Sequence, residues 1–162
     1  MAADKTEREK AQKVVADNRK AFHDYHVLET WEAGLVLLGT EIKAIREGRV
    51  NLRDSFARVD NGEVWLANMH ISPYSHTGYA HHEERRQRKL LLHKHEINKV
   101  MGLVRERGLT LVPLQLYFKN GRLKASLALV KGKQAHDKRE AIRKREVDRE
   151  TRAAVKSRSH SK

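Results

Sequence analysis

Leu109-Thr110-Leu111-Val112-Pro113-Leu114-Gln115-Leu116-Tyr117-Phe118, then Lys119-Asn120-Gly121, then Arg122-Leu123-Lys124-Ala125-Ser126-Leu127-Ala128-Leu129-Val130: this stretch decides the fold class. Asn-Gly is the favoured pair for a two-residue hairpin turn, because both central residues need φ > 0. The apolar arms on either side therefore predict an antiparallel hairpin. Pro113 cannot donate to a ladder, which puts its arm at an edge or a bulge. The same signal recurs upstream, where Asp60-Asn61-Gly62 separates strands expected over Ser55 to Val59 and Glu63 to Ile71. From Tyr25 to Leu38 apolar side chains fall at Tyr25, Val27, Trp31, Ala33, Leu35 and Leu37, the pattern of a long curved strand with Gly34 at a bulge or bend. Gly39-Thr40 opens a short helix with Ile42 and Ile45 on one face and Gly48 at its stop. Pro73 to Arg88 has no periodicity and reads as a loop, and Lys89 to His93 resumes with three leucines. Glu96 to Arg107 spaces Ile97, Val100, Met101 and Val104 helically, ending at Gly108. Hairpins with so few helices between them predict a mainly β fold, a small antiparallel barrel with two or three short helices; a parallel sheet would need a helix at nearly every crossover.

Charge divides the chain further. The 162 residues carry 34 Lys plus Arg against 21 Asp plus Glu, a net charge of +13. Residues 1–20 contribute +2, residues 21–130 contribute +4, and residues 131–162 contribute +7. The last segment has few apolar side chains beyond Ile142, Val147 and Val155, too few to offset an ordering cost of roughly 1–2 kcal/mol per residue. It is expected to be disordered when free, yet Asp137 to Val155 is rich in helix formers, so a polyanionic partner could fold it as a helix. The expected division is a flexible segment over 1–17, a barrel over 18–130 and a basic tail over 131–162. Cysteine is absent, which excludes disulfides, thiolate nucleophiles and sulfur-ligated zinc. No apolar run approaches the roughly 18 residues of a membrane span, and the charged stretch Ala2 to Lys13 lacks a signal-peptide core. A cytoplasmic protein is expected.

Three groups of residues invite chemistry. His23, Asp24 and His26 could form a catalytic acid and base, but neighbours in a strand point to opposite faces, so no dyad is expected. His76, His81, His82, His93 and His95 raise a histidine-metal hydrolase, with His93-x-His95 placing two imidazoles on one strand face. No spacing matches an established zinc set, so no metal, cofactor or catalytic residue is assigned. Arg85, Arg86, Arg88 and Lys89, with Tyr74 and Tyr79 nearby, combine cations and rings as phosphate-holding, base-stacking surfaces do. Of Trp31, Trp65, Tyr117 and Phe118, some must be core at two-residue alternation, and none is assigned to a ligand.

Several motifs in order carry a resemblance. These are Asn18-Arg19-Lys20-Ala21-Phe22-His23-Asp24-Tyr25, Glu32-Ala33-Gly34-Leu35, Gly39-Thr40-Glu41-Ile42-Lys43-Ala44-Ile45-Arg46, Asp54-Ser55-Phe56, Arg88-Lys89-Leu90-Leu91-Leu92, and the run Lys131-Gly132-Lys133-Gln134-Ala135-His136-Asp137-Lys138-Arg139-Glu140. Together they resemble the SmpB family of SsrA-binding proteins over about residues 18–146. The resemblance implies an OB-fold-like barrel that binds the tRNA-like domain of transfer-messenger RNA (tmRNA) and takes it to stalled ribosomes for trans-translation. It implies a monomeric adaptor rather than an enzyme, with alanyl-tRNA synthetase charging the RNA and elongation factor Tu delivering it.

By position, the resemblance places Asn18, Arg19, His23, Tyr25, Glu32, Lys43, Arg46, Arg88, Lys89, Leu91 and Lys124 on the RNA-binding surface. It places Gly132, Lys133, His136, Asp137, Lys138, Arg139 and Arg143 in a tail that occupies the decoding centre and the empty mRNA channel as a helix. Glu32 is unusual there, since an acid on a phosphate-binding face is costly unless it accepts from base amino groups or orients a cation. Gln134 departs from a Gly-Lys-Lys run common among relatives, and beyond about Val147 the motif order gives no assignment. Composition and barrel pattern alone would also fit a general OB-type RNA-binding or ribosome-associated protein.

Overall fold

Two asparagine–glycine pairs turn the chain as their chemistry requires. Asn61 and Gly62 (φ 49° and 73°) close a hairpin in which Asp60 faces Glu63, and Asn120 and Gly121 (φ 52° and 75°) close one in which Lys119 faces Arg122. The computed structural model describes residues 12–76, 78, 81–105, 109–133 and 135–159, with the backbone alone for 135–138 and 158–159. Tyr79, Gly108 and Gln134 lie outside the described residues, as do the side chains of His136, Asp137 and Lys138.

Along the described residues the strands are β1 (Gln12–Asp17), β2 (Tyr25–Leu35), β3 (Val50–Asn51), β4 (Phe56–Asp60), β5 (Glu63–Ala67), β6 (His70–Ile71), β7 (Arg88–Leu91), β8 (Leu109–Lys119) and β9 (Arg122–Gly132). The helices are α1 (Arg19–Asp24), α2 (Gly39–Arg46), α3 (Lys94–Val104) and α4 (Ala135–Ser159). The main sheet runs β1-β8-β4-β5-β7-β2-β9, all antiparallel, and a β8–β9 pairing closes it into a ring. β9 takes one edge of β8 along its length. β1 and β4 share the other edge, β1 beside Gln115 to Lys119 and β4 at Leu111. The expected antiparallel barrel is therefore present.

Bulges let the long strands curve around so small a ring. The register slips between Val14 and Ala16 in β1, Val27 and Glu29 in β2, and Pro113 and Gln115 in β8. Pro113 thus sits at a bulge in an interior strand. The bulge in β2 falls at Leu28 rather than at Gly34, which stays in register with Leu91 and Lys124. A Cβ at Gly34 would come within 3.3 Å of the Leu91 Cβ, so the glycine permits close packing of β2 on β7.

Inside the ring, Trp31, Ala33, Val64, Leu66, Leu90, Leu111, Leu116 and Leu127 form the core with Ala44 and Ile45 of α2 and Val100 of α3. A smaller cluster lies outside it, where Ala21 of α1 covers Val112, Leu114, Ala128 and Val130. Burial on both faces explains the unbroken apolar runs of β8 and β9.

The expected boundaries shift in three places. Residues 12–17 form β1 and extend the barrel before residue 18. The strand expected to Ile71 breaks at Asn68, whose φ of 63° turns the chain into β6. β9 continues past 130, with Lys131 opposite His26 and Gly132 opposite Tyr25. Lys133 is then tied to α1 by its N–H to the Asp24 carbonyl (2.8 Å) and its Nζ to the Phe22 carbonyl (3.2 Å). In the tail, residues 135–159 form α4, whose described side chains are almost all exposed.

Candidate nucleic-acid interface

Asn18 was expected to face RNA and instead is buried, because its amide is consumed locally. Oδ1 accepts from Ala21 N–H (3.2 Å) and caps α1, while Nδ2 donates to the Pro113 carbonyl (2.9 Å) and the Leu52 carbonyl (3.4 Å). Its backbone N–H reaches the Leu114 carbonyl at 2.8 Å. Asn18 therefore sets the position of α1 on the barrel. Asn18→Ala is expected to lower unfolding free energy by about 1–2 kcal/mol, the usual range for losing such a cap, measured by urea denaturation.

Arg88 is a second correction, since its side chain is fully buried. Nε donates to Glu41 Oε1 (2.9 Å), Nη1 to the carbonyls of Met69 (2.7 Å) and Arg86 (3.1 Å), and Nη2 to those of Glu83 (3.3 Å) and Glu84 (3.2 Å). Its five N–H donors are all engaged inside the fold, leaving none for RNA. Glu41 is equally buried and also accepts from Arg86 Nε (2.8 Å), Arg86 Nη2 (2.7 Å) and the Leu38 N–H (2.8 Å). Burial raises the Glu41 pKa, but the Arg86 and Leu38 hydrogen bonds and the Arg88 charge outweigh it and hold the pKa below its ordinary value. The cluster fastens α2 to β7 and the preceding loop.

The remaining expected residues fall into separate surroundings. Arg19, His23 and Tyr25 belong to α1 and the start of β2. Arg19 and His23 line a groove of about 520 Å³ with Lys20 and Arg53. His23 Nδ1 lies 2.9 Å from Asp24 Oδ1, so the two are paired, contrary to expectation, because they close a helix instead of alternating along a strand. Arg46, Leu91 and Lys124 meet in a second cavity of about 320 Å³, with Gly34 and Phe118 also in its wall. The Arg46 guanidinium lies 5.7 Å from the Phe118 ring centroid, and Leu91 is half exposed. Lys43 lies 5.5 Å over the Tyr74 ring, and Lys89 pairs with Glu63 at 2.8 Å. Arg139 and Arg143 are exposed on α4.

Glu32 stands on the outer face beside the second cavity. Its Oε2 accepts from the Tyr117 hydroxyl (2.6 Å) and Lys119 Nζ (3.2 Å). The Tyr117 hydrogen bond, with Lys119 and Lys124, holds the carboxyl below its ordinary pKa against the opposing effect of burial. Tyr117 is buried, as sequence reading expects of some strand rings, and its hydroxyl alone reaches out to this polar network.

The histidines raised as metal ligands are dispersed. His82 is buried between Thr40 Oγ1 (3.1 Å) and the Ile71 carbonyl (3.0 Å), whereas His93 and His95 stack at 5.6 Å around the start of α3 rather than lying on a strand. Among the described residues, no group of three or more His, Cys, Asp or Glu side chains is placed to hold a metal. No helix among them is long and apolar enough to cross a membrane. The first groove offers Arg19, Lys20 and Arg53 beside His23 with Asp17 and Asp24 also in its wall, and the second sets Arg46, Arg122 and Lys124 beside Phe118, the pairing of cation and ring that suits phosphate contact and base stacking.

Residues 15–157 match the family described as SmpB protein. The chain belongs to the SmpB family. It is 58% identical over 147 residues to the SsrA-binding protein of Carboxydothermus hydrogenoformans, covering 91% of this chain and 99% of that one. The SsrA-binding protein of Corynebacterium glutamicum (strain R) is 55% identical over 150 residues, covering 93% and 92%. A chain solved in work on tmRNA-SmpB at the center of the bacterial ribosome superposes with a TM-score of 0.66 at 50% identity, covering 80% of this chain and 94% of that one. In this SmpB-family chain, sequence reading missed Arg53 and Phe118 at the grooves and the bond from Tyr117 to Glu32. Arg53 lay within reach as a cation beside the turn at Asp54, but Tyr117 reaches Glu32 only through tertiary register.

Proposed function

We propose that this chain binds the tRNA-like domain of tmRNA and takes it to stalled ribosomes for trans-translation, as a cytoplasmic, monomeric adaptor that performs no catalysis. The observation that carries the reading is membership of a family whose close relatives are SsrA-binding proteins. The two cationic grooves supply the chemistry. Arg19 and His23 serve one contact with Tyr25 on the adjoining start of β2, and Arg46, Leu91 and Lys124 serve the other beside Glu32, with Lys43 and Lys89 as further cations outside the two grooves. Asn18 and Arg88 act behind this surface by holding α1 and β7. The tail, from Gly132 and Lys133 through His136, Asp137, Lys138, Arg139 and Arg143, occupies the decoding centre and the empty mRNA channel as a helix. Alanyl-tRNA synthetase and elongation factor Tu meet the protein through the charged RNA.

A competition assay tests the reading, with the tRNA-like domain, ordinary tRNA and an RNA duplex of equal length as competitors at near-physiological salt. Preference for the tRNA-like domain is expected; equal competition would leave a general RNA-binding barrel. Arg46→Ala and Lys124→Ala are each expected to weaken binding about five- to tenfold. Each should also reduce the slope of log affinity against log salt by about one, as loss of a phosphate contact does.

A further inference from the structure

Glu32 is an acid on a surface whose other named contacts are mainly basic, and two structural features fix how it is presented. The first is the reach of Tyr117. Glu32 on β2 faces Ser126 on β9, which faces Gln115 on β8, while Tyr117 lies one same-face step further along β8, opposite Lys124. Because the residue between them, Ser126, is small, the phenol can lie across β9 and put its hydroxyl 2.6 Å from Glu32 Oε2. The second is the asymmetry of the carboxylate. Oε2 receives both the hydroxyl and the shorter Lys119 contact, whereas among the described residues Oε1 has a 3.4 Å contact to the same Lys119. The Tyr117 ring is mostly covered, so its own face is not a stacking platform.

We propose that Tyr117 is a positioning residue for Glu32, holding Oε2 so that Oε1 is presented to an exocyclic amino group of an unpaired RNA base. A carboxylate accepts only, so it selects donors such as the amino groups of guanine, adenine or cytosine and rejects phosphate. Lys119 on β8 and Lys124 on β9 flank it and keep the local charge favourable for a polyanion. This inference rests on the RNA-binding reading above. Burial, together with the Glu32 carboxylate, pushes the Tyr117 phenol above its ordinary pKa, so it remains a donor at neutral pH.

The test uses the full chain and the tRNA-like domain of tmRNA. Tyr117→Phe keeps the ring and removes the hydroxyl, and is expected to weaken binding about five- to tenfold, in the range of a lost hydrogen bond to a charged group. Its salt slope should match wild type, since no cation is removed. Glu32→Gln should weaken binding at least as much, and Tyr117→Phe should add nothing further in that background. The carboxyl ¹³C titration of Glu32 in the RNA-free protein should move to higher pH in Tyr117→Phe, with Lys119 and Lys124 still present. Ser126→Val keeps the phenol but wedges the space beneath its bond to Glu32; it should reproduce the loss and guards against misfolding of the first variant. Wild-type affinity in Tyr117→Phe, or losses that add to those of Glu32→Gln, would overturn the positioning role while leaving RNA binding intact. If Glu32→Gln, Arg46→Ala and Lys124→Ala all bind as wild type, the RNA-binding surface itself is wrong and the positioning role falls with it.

Discussion

Replacing Glu41 by alanine is expected to cost about 3–5 kcal/mol of stability at pH 7, the range for removing one partner of a buried ion pair, and to shift the urea midpoint accordingly. The reason is the guanidinium left behind. Arg88 would keep its carbonyl partners but lose the anion that offsets burial, and burial already pulls its pKa below the ordinary value against the raising effect of Glu41. Arg86 would lose both of its bonds to the carboxylate, and α2 its link from Leu38. Replacing Glu41 and Arg88 together by apolar residues of similar volume should recover much of the loss, because no uncompensated charge remains in the core. Acid gives an independent check. The folded-state pKa of Glu41 lies below the ordinary 4.5, so its contribution is fully present above about pH 4.5 and disappears as pH falls through the depressed folded value. Denaturation curves of wild type and Glu41→Gln should therefore converge below that window.

A chain ending after Lys133 is expected to keep its affinity for the tRNA-like domain within about threefold at physiological salt, while peptide tagging on stalled ribosomes falls to background. Exposed charges on α4 more than a Debye length, about 8 Å, from the barrel grooves are screened and add little to that affinity. The place of the cut follows from register. A chain ending after Val130 would lose the pairings of Lys131 with His26 and Gly132 with Tyr25, together with both Lys133 bonds to α1. It would confound tail function with barrel damage. A large loss of RNA affinity in the longer truncation, measured beside its tagging activity, would contradict the proposed division of labour.

Features coded locally were the ones the sequence made legible. Asn61-Gly62 and Asn120-Gly121 announce their turns because few other pairs accept φ > 0 twice, and from those turns the hairpins and much of the barrel follow. β1 and β3 were not legible, and β6 was read only as the end of a longer strand. Their pairing depends on partners far along the chain, and β3 and β6 span only Val50–Asn51 and His70–Ile71. α1 had a readable signal in Asn18, a good N-cap residue, but a six-residue helix has little periodicity to support it. His93 and His95 were misplaced for a related reason. The leucine run before them reads as strand, yet Glu96 Oε2 accepts the His93 N–H at 3.0 Å and starts α3 at that point. Arg46, Leu91 and Lys124 line one cavity, a meeting that depends on the packing of α2, β7 and β9 and that motif position does not state. Motif position alone could not distinguish exposed residues from buried ones, and so placed Arg88 and Asn18 on the surface.

The attachment of the tail makes α4 a lever whose pivot is α1. Its 25 residues give it a length of about 37 Å. With Lys133 bound to the carbonyls of Phe22 and Asp24, the departure direction of that lever is inherited from the barrel. A change of about 10° at the pivot would carry the far tip through about 6 Å, more than the rise of one helical turn. Small tilts of a six-residue helix beside a cationic groove are thereby magnified into displacements of several ångströms at the far end of α4.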